Sequence, residues 1–168
     1  NVVITGASAT TQYDFDAITA DEGTVMINFA TGGILNAATT FAADQDFFVE
    51  KNQALTLSAA QASGVQITGE GASAGVDVGG SIVITSLDGT TAYNLVSISA
   101  GAQGSGIAGT VRSTITTITT LNSATTLGNL DLSVNLGVVL TLTAAQVNAR
   151  DIAGNGGIIV SAMADATD

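Results

Sequence analysis

Leu55-Thr56-Leu57-Ser58-Ala59-Ala60-Gln61 returns in the second half of the chain as Leu140-Thr141-Leu142-Thr143-Ala144-Ala145-Gln146. In both copies apolar and hydroxyl side chains alternate with the period of two of a half-buried strand. Ser58 and Thr143 then stand where a helical turn is capped, over 59–62 in one copy and 144–150 in the other, so each block predicts a strand followed by one or two turns of helix. Working outward, Leu35-Asn36-Ala37-Ala38-Thr39-Thr40-Phe41 returns at nearly the same offset as Leu121-Asn122-Ser123-Ala124-Thr125-Thr126-Leu127. Val2-Val3-Ile4-Thr5 and Thr10-Thr11-Gln12-Tyr13-Asp14-Phe15 return at a slightly shorter offset as Ile82-Val83-Ile84-Thr85 and Thr90-Thr91-Ala92-Tyr93-Asn94-Leu95. Ile159-Val160 and Asp165-Ala166-Thr167 match Ile82-Val83 and Asp88-Gly89-Thr90 in turn. The chain is therefore read as a first repeat over 1–80, a second over 81–158 and the start of a third over 159–168, forming one continuous β-rod.

Composition narrows the chemistry. The 168 residues include no Cys, His, Pro or Trp, and three Lys+Arg stand against fourteen Asp+Glu, for a formal net charge of −11. Ala, Thr, Val, Ile and Gly dominate, so the core is expected to be built from small and β-branched side chains, which suits thin, regular β architecture. An apolar content of 46% is ample for a folded core. The negative balance, with no basic stripe, argues against nucleic acid and anionic membrane surfaces. No apolar run approaches the roughly 20 residues of a membrane span. The start at Asn1 reads as a processed product or excised segment, with any export signal outside it. The scarcity of Lys and Arg leaves trypsin-like proteases few cleavage points, which fits an extracellular setting.

Short alternations recur at Val2–Ile4, Val25–Ile27, Phe47–Val49, Leu55–Leu57, Val65–Ile67, Val76–Val78, Ile82–Ile84, Leu130–Leu132, Leu140–Leu142 and Ile158–Val160. Turn signals separate them, among them Gly69-Glu70-Gly71, Gly79-Gly80 and Asn155-Gly156-Gly157. Two all-β architectures fit. One is a parallel β-solenoid (β-helix-like) built from the two repeats, each of about four coils of roughly 20 residues. The other is two tandem immunoglobulin-like β-sandwiches, with Asp88-Gly89 as a hairpin turn. Two Tyr and five Phe are thin material for two sandwich cores, and Asp88-Gly89 is replaced by Ser8-Ala9 and Asp165-Ala166 in the other copies. The solenoid is preferred.

Catalytic motifs find no support in the pattern. Gly71-Ala72-Ser73-Ala74-Gly75 spells the G-x-S-x-G of a nucleophile elbow, but no His is present to act as base and the second repeat lacks this stretch. The glycines of 101–109 have no P-loop Lys or helix behind them. Without imidazole or thiolate only hard, oxygen-seeking cations remain, and calcium is the one metal the residue types could hold. Its candidate ligands are Asp14, Asp16, Asp21 and Glu22, then Asp44 and Asp46, against a reading as solvated acidic turns; in the second copy Asp14, Asp16 and Asp21 become Asn94, Val96 and Gly101. A Thr-rich run over 113–120 reads as a strand, since its counterpart over 27–34 lacks the Thr pattern.

The 55–69 block and its partner from Leu140 resemble the L-T-L-T-A-A-Q units of very large, repetitive secreted bacterial surface proteins, and the Thr-Thr-x-Tyr-Asp/Asn block is similar to the segments that link such units. That resemblance implies export to the bacterial cell surface and a role in adhesion, biofilm matrix, surface layer or filament, with no functional residue to carry over. The expectation is a non-enzymatic structural segment with no required cofactor. Because 2–11 and 159–168 share a repeat phase, head-to-tail self-association into fibres is expected. The alternative is an adhesin module that binds host or cell-surface glycans with the help of calcium.

Overall fold

A computed structural model describes residues 2–4, 11–21, 23–42, 44–148 and 150–162. The chain is an all-β parallel solenoid of about seven turns. The first sheet stacks β1 (Val2–Ile4), β2 (Val25–Phe29), β4 (Gln45–Val49), β6 (Gln66–Gly69) and β8 (Ile98–Ser99). The second stacks β3 (Gly33–Ile34), β5 (Ala54–Ser58), β7 (Ser81–Thr85), β9 (Val111–Ile115), β11 (Asp131–Val134) and β13 (Ile152–Gly154). The third holds β10 (Thr119–Thr120), β12 (Val139–Thr143) and β14 (Gly157–Ser161). A parallel partner cannot be reached by a tight hairpin, so each strand pairs with one a whole coil away. Phe47 thus lies beside Ile67, and Leu132 beside Ile152, each pair separated by one full coil of chain. Tandem sandwiches, whose strands are antiparallel, are excluded.

Alternation along each strand puts every second side chain inside, and the coil-to-coil register turns these into columns. Ile27, Phe47, Ile67 and Ile98 form one fully buried column, and Leu55, Ile82 and Val111 another. The first repeat packs aromatic rings edge to face, Phe47 against Phe29 and Phe41 with ring centroids 5.4 and 4.8 Å apart. At the matching places the second repeat uses the buried aliphatics Ile115, Leu127 and Leu132. The two helical turns are α1 (Ala59–Ala62) and α2 (Ala144–Val147), so the second is shorter than the expected span to 150. Val76–Val78 is no strand: Val76 is 88% exposed on a loop, with only an isolated bridge between Val78 and Ile107. Its alternation has no coil-distant partner ladder to join.

Equivalent strands of the repeats lie in different sheets. β1 opens the first copy in the first sheet, its counterpart β7 lies in the second, and β14, which stacks on β12 as β7 stacks on β5, lies in the third. Likewise β3 and β5 of the second sheet correspond to β10 and β12 of the third. One repeat therefore advances the chain along the rod and turns it by one face. The first change falls where 70–80 and 101–109 bulge from the corner between the first two sheets. At the root of these bulges main chains touch: a Cβ on Gly80 would sit 2.2 Å from the Val49 carbonyl oxygen, and one on Gly101 1.8 Å from that of Glu70. No other residue fits there.

One column carries a flaw. Ser113 stands between Ile84 and Leu132, almost wholly buried, with a hydroxyl that has no hydrogen-bond partner among the described residues. An unpaired buried hydroxyl costs about 1–3 kcal/mol. Ser113→Val restores a β-branched apolar side chain to the column, and denaturant unfolding is expected to show a gain of about 1–3 kcal/mol; an unchanged or lower midpoint would mean the hydroxyl is satisfied.

Candidate functional site

The side chains that recur between repeats are gathered between coils. Ser58 accepts from the Gln61 N–H at 3.2 Å while Gln61 Oε1 accepts from the Ser58 N–H at 3.0 Å, and Thr143 with Gln146 repeats this reciprocal cap at 3.3 and 2.9 Å. The amide nitrogen of each glutamine reaches into the preceding coil. Gln61 Nε2 donates to the Asn36 and Thr39 carbonyls at 2.8 and 3.4 Å, and Gln146 Nε2 to those of Asn122 and Thr125 at 2.7 and 3.1 Å. Those asparagines in turn accept from Ala38 N–H and Ala124 N–H, both at 2.9 Å, which folds the corner as an Asx turn. One coil further back, Tyr13 N–H and Tyr93 N–H each donate to the hydroxyl of Thr39 or Thr125 at 3.2 Å. The three repeated motifs are three successive layers of one bonded stack.

Charged and nucleophilic groups converge at the bulged corner. Lys51 Nζ lies 3.1 Å from Asp77 Oδ2 and donates to the Ser73 hydroxyl, which itself donates to Asp77 at 2.9 Å. Asn52, held at a φ of 62°, donates to Asp77 Oδ1 at 3.2 Å and accepts from the Val78 N–H at 2.8 Å. Hydrogen bonds from Asn52, Ser73 and Lys51 hold the Asp77 carboxyl far below the usual carboxylate range. Ser73 sits on a loop rather than a strand-to-helix elbow. This group of residues fastens the bulge to the rod.

The calcium candidates are spread out. Asp14 is committed to its own turn, accepting from the Asp16 N–H at 3.2 Å and the Thr40 hydroxyl at 3.3 Å. Asp16, Asp21 and Asp44 are exposed. Asp46 sits on the outer row of β4 between Met26 and Gln66, and partial burial pushes its carboxyl up. Glu22 lies outside the described residues. Among the described residues no three His, Cys, Asp or Glu side chains come together as a metal-holding group. Comparison with protein-family models, curated proteins and solved structures gives no match for this chain.

Sequence reasoning located the capped turn but missed what the glutamine does beyond it, reaching back one coil. The signal was present in its return beside Asn36 and Asn122, and only the register shows that the two blocks touch. Two outcomes follow from this geometry. Gln146→Leu strands the Thr125 carbonyl and the Thr143 N–H and leaves the Asn122 carbonyl with the Thr125 N–H alone, and thermal or denaturant unfolding is expected to show a loss of about 1–3 kcal/mol, more than Gln→Leu at exposed Gln103. Because the Asp77 carboxyl titrates below its unfolded value of about 3.9, its fastening is complete above that pH and is lost only as acid drives it through the lower folded value. Amide exchange at Val78 should therefore stay slow down to about pH 4 and become fast at neutral pH in Asp77→Ala.

Proposed function

We propose that this chain is a non-enzymatic structural segment of an extracellular bacterial surface protein, a β-rod that serves adhesion, matrix or surface coating. The observation that carries this is the destination of the recurring side chains: Gln61 and Gln146, Thr39 and Thr125, Asn36 and Asn122 all bond one coil to the next. What the repeat preserves is stacking. The L-T-L-T-A-A-Q resemblance, the acidic surface and the near absence of Lys and Arg support an exported setting.

Head-to-tail stacking belongs to the same proposal. Ile158 continues the inward column of Thr119 and Leu140 yet is 43% exposed, because among the described residues no strand lies over β14. A further coil of the same repeat type, from a longer chain or a second molecule, would bury it and pair the free edge. The segments that complete the phase overlap, 5–10 and 163–168, lie outside the described residues. Negative-stain electron microscopy at increasing concentration is expected to show thin rods that lengthen, and Ile158→Lys is expected to shorten them. Discrete particles of constant size at every concentration would end the head-to-tail part of the proposal.

A further inference from the structure

Two grooves of similar size occupy matching places in the two repeats, between the Leu-Asn-x-Ala-Thr-Thr corner and the helical turn of the next coil. The first, of about 360 Å³, is lined by Asp16, Thr39, Thr40, Phe41 and Gln61 among others. The second, of about 320 Å³, has Val96, Thr125, Thr126, Leu127 and Gln146 at the corresponding positions, together with Arg150. The duplicated groove has thus exchanged a carboxylate for a guanidinium. Among the described residues no carboxylate lines the second one.

Arg150 is half-buried, its Nε is fully buried without a partner, and among the described residues its guanidinium makes no hydrogen bond or ion pair. A buried donor left unpaired is costly, and the rest of the half-exposed guanidinium is open to a ligand. The guanidinium fork matches a planar carboxylate through two parallel bonds. Beside it the Ser123 hydroxyl is exposed and unengaged among the described residues. Val96, 53% exposed, supplies an apolar wall. The Thr126 N–H and carbonyl are already paired with Tyr93 and Leu95, so the groove offers hydroxyls and a cation rather than a strand edge for a peptide.

We propose that this second groove binds a carboxylate-bearing sugar, such as a uronate unit of an acidic polysaccharide. Arg150 holds the carboxylate, Ser123 meets a ring hydroxyl, and Val96 takes the C–H face of the ring. The volume is at the lower end for ligand pockets, about 300–1,000 Å³, and suits one sugar residue of a chain that continues into solvent. The first groove, with Asp16 in place of Val96, does not accept the same ligand.

The test is a titration of the ¹⁵N-labelled chain with glucuronate, glucose and acetate at about 0.15 M salt, where repulsion from carboxylates more than about 8 Å away is largely screened. Glucuronate is expected to give saturable shifts confined to the amides around Val96, Ser123 to Leu127 and Arg150. Glucose should not saturate, and acetate should bind far more weakly. Arg150→Gln and Val96→Asp, the latter placing the first groove's carboxylate at an exposed position, should each weaken binding roughly tenfold or more while leaving the thermal midpoint in place. Failure of glucuronate to saturate, wild-type affinity in Arg150→Gln, or acetate binding as tightly as glucuronate would each overturn the assignment. Binding is read on dispersed chains, so its failure leaves rod stacking untouched, and the reverse holds.

Discussion

Parallel pairing at the distance of a whole coil is the constraint on which everything else in this molecule rests. Each strand must meet its partner after one complete circuit of the chain, and residues added within that circuit would break every register above them. The chain tolerates additions because they leave at one corner. The bulges over 70–80 and 101–109 stack on one another, with Gly80 donating to the Glu70 carbonyl, Gly101 to that of Gly80 and Gly109 to that of Gly101, each at 2.8 to 2.9 Å. Backbone approach that close admits only glycine, and the Lys51–Asp77 pair then fastens the rim.

The side-chain bonds between coils solve a second problem. A coil corner turns away from regular strand geometry and leaves carbonyls such as those of Asn36 and Thr39 without ladder partners. A buried glutamine from the next coil supplies both donors while its oxygen closes the cap of its own helical turn. One residue thereby satisfies two layers. This is why Gln returns at position 146 within an otherwise interchangeable run of small residues, and why both copies keep a Thr at 39 and 125 to receive the tyrosine N–H.

Much of the fold could be read from the residues, and the reasons it could be read also explain what could not. Alternation at Leu55–Leu57 and Leu140–Leu142 marks strands because burial on one face enforces it, and a Ser or Thr three residues before Gln marks a capped turn through local bonds alone. Val76–Val78 shows the same alternation but stands out from the rod, since period two records apolar spacing and not the presence of a neighbour one coil away. Asp14 looked like a cation ligand because its acidity is visible in sequence, whereas the Thr40 hydroxyl it accepts from belongs to the next coil. The groove at Arg150 was invisible for the same reason: Val96, Ser123 and Arg150 are neighbours only once three coils are stacked.

The passage of the opening strand from the first sheet to the second and then to the third has a geometric consequence for any chain that carries more of these units. Each added copy would present its surfaces on a new side, so a feature occurring once per copy would wind around the axis like the steps of a spiral stair. A groove of the Arg150 kind would then point outward in several directions along the length of the rod, where a purely translational array would align every such groove on a single side. The rotation is built into the repeat, whose last strand hands over to the next copy one face further round, as β13 does to β14.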